Sequence, residues 1–159
     1  MAINEAALSA EIRDSLETVY SPNIYVKLFP DMRRTFKKPY DFEVLYRGNF
    51  FGIECKFCQG GTFNFKSMVY DHQPKSLRKI DRCGGAGLFC IGFKGKKKAV
   101  LIGVVPLDIM LERYSKNGNS LTLETFQEHD HLCWCIMDRR KFDGITRWHV
   151  EKIVEAKKR

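Results

Sequence analysis

No apolar run in this chain approaches the roughly 18 residues that a membrane-spanning helix needs. No secretory leader is expected either. The opening MAINEAALSAEIRD has acidic residues where a leader needs basic ones followed by a continuous apolar stretch. The expectation is a cytoplasmic protein. There are six cysteines, at 55, 58, 83, 90, 133 and 135, but only one C-x-x-C, Cys55-Lys56-Phe57-Cys58. With no second C-x-x-C and no H-x-x-x-H downstream, the spacing argues against a zinc site. Reduced cysteines acting as small apolar residues fit better. Repeats, linkers and low-complexity stretches are also lacking. The 159 residues read as one domain, long enough to bury a core without disulfides.

What is present is globular and basic. Hydrophobic residues make up 44% and aromatic ones 13%, which excludes a disordered tail. The net charge of +8 favours a polyanionic partner, although a soluble basic protein has the same balance. Basic residues gather in three groups, each at a turn or terminus. These are Arg33, Arg34, Lys37 and Lys38; Lys94 with Lys96–Lys98; and Lys157, Lys158 and Arg159.

Local patterns outline an α/β domain. Asn4 can cap a helix over residues 4 to 19, with Leu8, Ile12, Leu16 and Val19 on one stripe. A short strand follows from Ile24 to Phe29. A helix entered around His72-Gln73 ends at Gly84-Gly85, with Pro74 in its first turn. LFCIGF (88 to 93) and AVLIGVV (99 to 105) read as neighbouring buried strands. Pro106 to Tyr114 is a short helix. From Ser120 come a helical stretch, the strand-like LCWCIM, and a basic C-terminal helix from about Thr146.

The most informative stretch is KKPYDFEVLYRGNFFGIECKF. Two runs rich in aromatic and β-branched residues, 42 to 46 and 50 to 57, flank the turn signal Arg47-Gly48-Asn49. With Gly48-Asn49 as a two-residue loop, Glu43 pairs with Glu54 and Asp41 with Lys56. Asp41, Glu43, Glu54 and Lys56 then share one face, because faces alternate with period two. An aspartate followed by Glu-x-Lys on the adjacent strand suits metal-dependent phosphodiester hydrolysis. Hard carboxylate oxygens bind Mg²⁺ and leave positions for water and phosphate. The lysine can orient or deprotonate water and neutralise developing charge. The Cys55 carbonyl is available as a further ligand. Read alone, Glu-x-Lys is also what an exposed cross-strand pair looks like, worth about 0.2–1 kcal/mol.

The ordered set resembles a known family. Asp41, then Glu54-Cys55-Lys56, looks like the PD-(D/E)XK nuclease core. Over residues 41 to 93, TFNF, then Asp71-His72-Gln73, then GGAGLFCIGF are similar to RecU-type Holliday junction resolvases. The opening AEIRDSL is similar to their first helix, with Glu11 at the position of a glutamate that faces the site. The resemblance implies a restriction-endonuclease-like core, a central mixed β-sheet flanked by helices, in a single nuclease domain over residues 1 to 159. It implies that Asp41 and Glu54 bind Mg²⁺, which Mn²⁺ can replace, and that Lys56 positions the nucleophilic water. Gln73 would orient water or phosphate, and Glu11 would assist through water. His72 and Glu43 carry no assigned catalytic role.

The family inserts a long stalk before the aspartate, where this chain has only the basic loop of residues 30 to 39. Pro39 stands two residues before Asp41. Arg33, Arg34, Lys37 and Lys38 would serve as phosphate contacts there. The implied activity is paired, symmetric nicking of four-way DNA junctions by a homodimer, in a bacterial or phage-infected cell. Two other readings stay open. One is a nuclease of the same core acting on duplex or flap DNA, the other a non-catalytic basic DNA-binding protein.

Overall fold

The computed structural model describes residues 4–30, 37–94, 100–117, 120–128, 135–142 and 144–156. The elements run α1 (Glu5–Tyr20), β1 (Ile24–Leu28), β2 (Phe42–Tyr46), β3 (Asn49–Cys58), β4 (Thr62–Asn64), α2 (Phe65–Met68), α3 (His72–Arg82) and β5 (Ala86–Lys94). Then come β6 (Val100–Pro106), α4 (Leu107–Asn117), β7 (Ser120–Thr122), α5 (Leu123–Glu128), β8 (Cys135–Met137), β9 (Arg139–Phe142), β10 (Ile145–Trp148) and α6 (Glu151–Glu155). Among the described residues, no helix is long and apolar enough to cross a membrane.

A six-stranded sheet in the order β1-β2-β3-β5-β6-β8 forms the centre. It is mixed: β3 and β5 are parallel and every other neighbouring pair is antiparallel. Parallel neighbours need a long crossover. The chain between β3 and β5 supplies it through β4, α2 and α3. Both β3 and β5 are buried on both faces, so neither shows the alternation of a half-exposed strand.

Two apolar cores lie on opposite faces of this sheet. On one, Leu8, Ile12 and Leu16 of α1 meet Phe42, Phe51, Ile53, Cys55, Cys90 and Val104, with Trp148 and Ile153 from the C-terminal segment. On the other, Leu77 of α3 packs with Phe89, Ile91, Phe93, Val105, Leu107 and Phe126. Glycine sets how closely α3 approaches. A Cβ at Gly87 would lie 2.8 Å from the Leu77 Cβ and 2.9 Å from the Leu77 carbonyl oxygen.

The hairpin register differs from the sequence expectation. Tyr46 pairs with Asn49, so the loop is Arg47-Gly48, and Glu43 pairs with Gly52 where Glu54 was expected. Both loop residues have positive φ, 49° and 75°, as a type I′ turn requires. Glycine can meet that demand at only one of the two positions, and Arg47 takes the other. The slip is two residues along the partner strand. Every side chain therefore keeps its face, as a one-residue slip would not allow.

The C-terminal expectation needs a larger correction. Arg139–Phe142 and Ile145–Trp148 pair as the antiparallel β9–β10 hairpin, and α6 begins only at Glu151. Gly144 has φ 77°, and the sequence Asp143-Gly144 is itself a strong hairpin signal. The hairpin docks on α1. The Trp148 backbone N–H donates to Ser15 Oγ (3.2 Å), its indole N–H donates to Glu11 Oε2 (3.0 Å), and Arg147 pairs with Asp14.

Candidate metal and nuclease centre

Asp41 stands one residue before β2, and its backbone N–H donates to the Ile53 carbonyl (3.1 Å). One step beyond the Phe42↔Ile53 pair, it faces Glu54 across the ladder. Asp41 Oδ2 accepts from the Cys55 backbone N–H at 2.7 Å, and Oδ1 meets the Lys38 ammonium at 2.8 Å. The third carboxylate comes from the first turn of α1. One oxygen each of Glu5, Asp41 and Glu54 can be chosen so that all three lie within 4.8 Å of one another.

Glu54 is fully buried and its two oxygens are treated differently. Oε1 accepts from Gln73 Nε2 at 2.5 Å and from the Lys56 ammonium at 2.9 Å. Oε2 is buried and has no hydrogen-bond partner among the described residues. Burial, reinforced by the Asp41 charge, pushes the Glu54 carboxyl up to about 7, against the pull of Lys56. Burial also raises the Glu5 carboxyl, with Lys56 opposing it. For Lys56 burial pulls the other way. The neighbouring Glu54 and Glu5 outweigh it, so the ammonium is held protonated above its ordinary value.

This donor set suits a hard divalent cation. Three carboxylates crowded together repel one another, and the orphaned Glu54 Oε2 is an acceptor with nothing to accept from. A divalent ion ligated by oxygen meets both conditions. Gln73 reaches Glu54 because it lies in the first turn of α3, where its own Oε1 accepts from the Tyr70 backbone N–H (3.0 Å). The short connection after Val69 therefore fixes the oxygen end of the amide, and Glu54 fixes its nitrogen end.

Glu11 is not in this cluster. It follows Glu5 by six residues, about 240° around α1 and about 9 Å along it, and that turn aims it at Trp148. The helix-borne carboxylate at the site is Glu5, the residue next to the N-cap Asn4, whose side chain accepts from Ala7 N at 2.8 Å. Glu43 lies on the same face as the cluster but engages Tyr40 (3.1 Å) and, more distantly, Lys27 (3.9 Å). His72 stacks near Tyr70. The Cys55 side chain points away from the site into the α1-side core, where its strand neighbour Cys90 also lies.

Of the expected DNA-contacting residues, Arg33 and Arg34 lie outside the described residues. Lys37 is exposed, and Lys38 is committed to Asp41. The fold adds a second basic surface that the charge clusters of the sequence did not reveal. Lys75, Arg78, Lys79 and Arg82 are all exposed on α3, at i, i+3, i+4 and i+7, starting two residues from Gln73. That spacing puts four cations on one helical stripe about 10 Å long. Helical periodicity applied to charge would have found it.

The family model described as RecU, recombination protein U, matches residues 34–138. The chain belongs to the RecU family. The matched span includes Asp41, Glu54, Lys56 and Gln73 but not Glu5, which the fold brings in from α1. A solved structure also resembles this RecU-family chain, that of Archaeoglobus fulgidus Hjc, a Holliday junction resolvase from an archaeal hyperthermophile. The two align with a TM-score of 0.50 and 14% identity, over 76% of this chain and 92% of that one. At that identity the likeness is one of fold: a mixed sheet flanked by helices. No curated protein matches the chain.

Proposed function

We propose that this RecU-family protein is a metal-dependent endonuclease that resolves four-way DNA junctions, acting as a homodimer whose two sites nick opposing strands. The observation that carries the reading is the Glu5–Asp41–Glu54 cluster, with Lys56 and Gln73 bonded to the same Glu54 oxygen. A binding module has no use for three carboxylates in the middle of a basic protein. Membership of the RecU family and the Hjc-like fold favour a branched substrate over plain duplex. The whole chain, 1 to 159, is read as one nuclease domain.

Asp41 and Glu54 would hold Mg²⁺, or Mn²⁺ in its place, together with Glu5 and the Cys55 backbone carbonyl. The ion supplies a more acidic bound water and neutralises charge on the phosphoryl oxygens. Lys56, protonated, stabilises negative charge that develops on the scissile phosphate and orients the attacking water by donation. Gln73 keeps Glu54 Oε1 occupied, leaving Oε2 for the cation. Lys38 neutralises Asp41 when no cation is bound and can turn to a phosphate when one is. The α3 stripe, with Lys37, contributes phosphate contacts that position the arm without reading its sequence. A two-fold branched substrate is met by a two-fold protein, which is the reason to expect a dimer.

Incubating the protein and Mg²⁺ with end-labelled four-way, flap and linear DNA tests the proposal. Paired nicks in the junction alone are expected. Equal cutting of all three would make it a general nuclease, and binding without cutting would make it a DNA-binding protein that retains the fold.

A further inference from the structure

Tyr70 is the most exposed large apolar side chain among the described residues, 69% accessible, yet it borders the most buried charges. The Lys56 ammonium, only 3% exposed as a residue, lies 5.8 Å from the centre of the Tyr70 ring. The His72 ring lies nearly parallel to it, planes 14° apart and centroids 6.0 Å apart, an offset arrangement that leaves most of the phenol ring open. A lone exposed tyrosine is ordinary. One held flat beside a catalytic-type lysine, on the connection that also fixes Gln73, is placed to meet whatever that lysine meets.

We propose that Tyr70, backed by His72, is a stacking platform for an unstacked nucleobase of the strand being cut. This rests on the junction-nuclease reading above. At a branch point the helical stack is interrupted, so a base next to the scissile phosphate can be taken onto a protein ring. In continuous duplex the same base would first have to leave its neighbours. Aromatic rings accept any base on their π face, so the platform favours branched over linear DNA with little sequence preference. Lys56 and Tyr70 would then engage one nucleotide together, the ammonium at its phosphate and the ring at its base.

The substitution Tyr70→Ala keeps the backbone N–H that bonds Gln73, and the exposed ring contributes little to folding, so the metal cluster is left intact. The test uses a four-way junction with 2-aminopurine at each nucleotide flanking the mapped nick, and a linear duplex of the same sequence. Tyr70→Ala is expected to lower single-turnover cutting of the junction about 10- to 100-fold, the size of a single base–ring stack. It should leave the Mg²⁺-induced thermal shift unchanged. Tyr70→Phe, which keeps the ring and removes the hydroxyl, should recover most of the rate. At one flanking position the 2-aminopurine emission should respond to the wild-type protein and to Tyr70→Phe but not to Tyr70→Ala. Three outcomes overturn the platform: wild-type cutting by Tyr70→Ala, a Tyr70→Phe defect as large as that of Tyr70→Ala, or emission that is identical for all three proteins. If wild-type protein binds junctions but cuts none, the nuclease reading fails and takes the platform with it.

Discussion

Gln73 donates its side-chain amide to Glu54 Oε1 at 2.5 Å, and the other oxygen of that buried carboxylate has no partner among the described residues. The amide pins the group in one orientation and leaves Oε2 as its unsatisfied acceptor. Gln73→Ala releases the pin without touching a proposed ligand. Mg²⁺ affinity should fall about 10-fold, as when other groups that orient a metal ligand are removed. Cutting should recover when Mg²⁺ is raised. Isothermal titration, together with a Mg²⁺ series of cutting rates, measures both.

Asp41→Asn and Glu54→Gln change the proposed ligands themselves. Each should lower junction cutting by at least about 100-fold, the usual scale for losing one electrostatic stabiliser. Junction binding should persist or strengthen, because a negative charge has left a site that faces phosphate. Gel-shift and cutting assays on the same samples separate the two effects. Cutting at the wild-type rate by either variant overturns the assignment.

The raised Glu54 carboxyl makes the metal-free protein sensitive to pH. Its ordinary value is 4.5 and the folded one is about 7. Between these limits the folded state binds more proton than the unfolded chain. The stability linked to Glu54 is therefore complete below about pH 4.5 and lost as pH rises through 7. The loss is on the order of 3 kcal/mol. Glu54→Gln should flatten that part of the curve and raise the melting temperature at pH 8 without metal. Mg²⁺ should raise the melting temperature of the wild type only. Thermal melts from pH 4 to 8, with and without Mg²⁺, follow both.

Glu5 stands with Asp41 and Glu54, whereas Glu11, expected to assist the site through water, accepts from Trp148. Glu5→Gln should weaken Mg²⁺ binding about 10-fold. Glu11→Ala should leave Mg²⁺ dependence unchanged and destabilise the fold by about 1 kcal/mol by removing the acceptor of the Trp148 indole N–H. Urea melts and Mg²⁺ titrations on the two variants give opposite patterns if this is right.

The α3 stripe makes a prediction that reads out in salt. Replacing Lys75, Arg78, Lys79 or Arg82 singly with Gln should weaken binding to all junction sequences alike. Each replacement should also lower the slope of log affinity against log salt by about 0.9 for every phosphate no longer neutralised. Gly87→Ala tests how the helix is seated. The new methyl would press on Leu77 backbone and side chain alike, costing about 1–3 kcal/mol, and would move Gln73 off Glu54.

The chain's own order of residues determined the parts governed by short-range periodicity. The hydrophobic stripe and Asn4 cap gave α1 within one residue, and apolar runs gave β5 and β6. Period-two alternation put Asp41, Glu54 and Lys56 on one face. That conclusion outlived an error in the loop because an even slip preserves faces. Other features depended on where distant segments meet. Which turn of α1 reaches the end of the sheet is set by how Leu8, Ile12 and Leu16 seat on β3 and β5, and this selects Glu5 over Glu11. The β9–β10 hairpin, whose last residues from Thr146 read as the start of a helix, is held by Asp14 and Ser15 from the opposite end of the chain. The neighbourhood of Tyr70 and Lys56 likewise exists only once α3 has closed onto glycines that leave room for it. Spacing along the chain fixes which face a side chain takes; packing between elements fixes what that face meets.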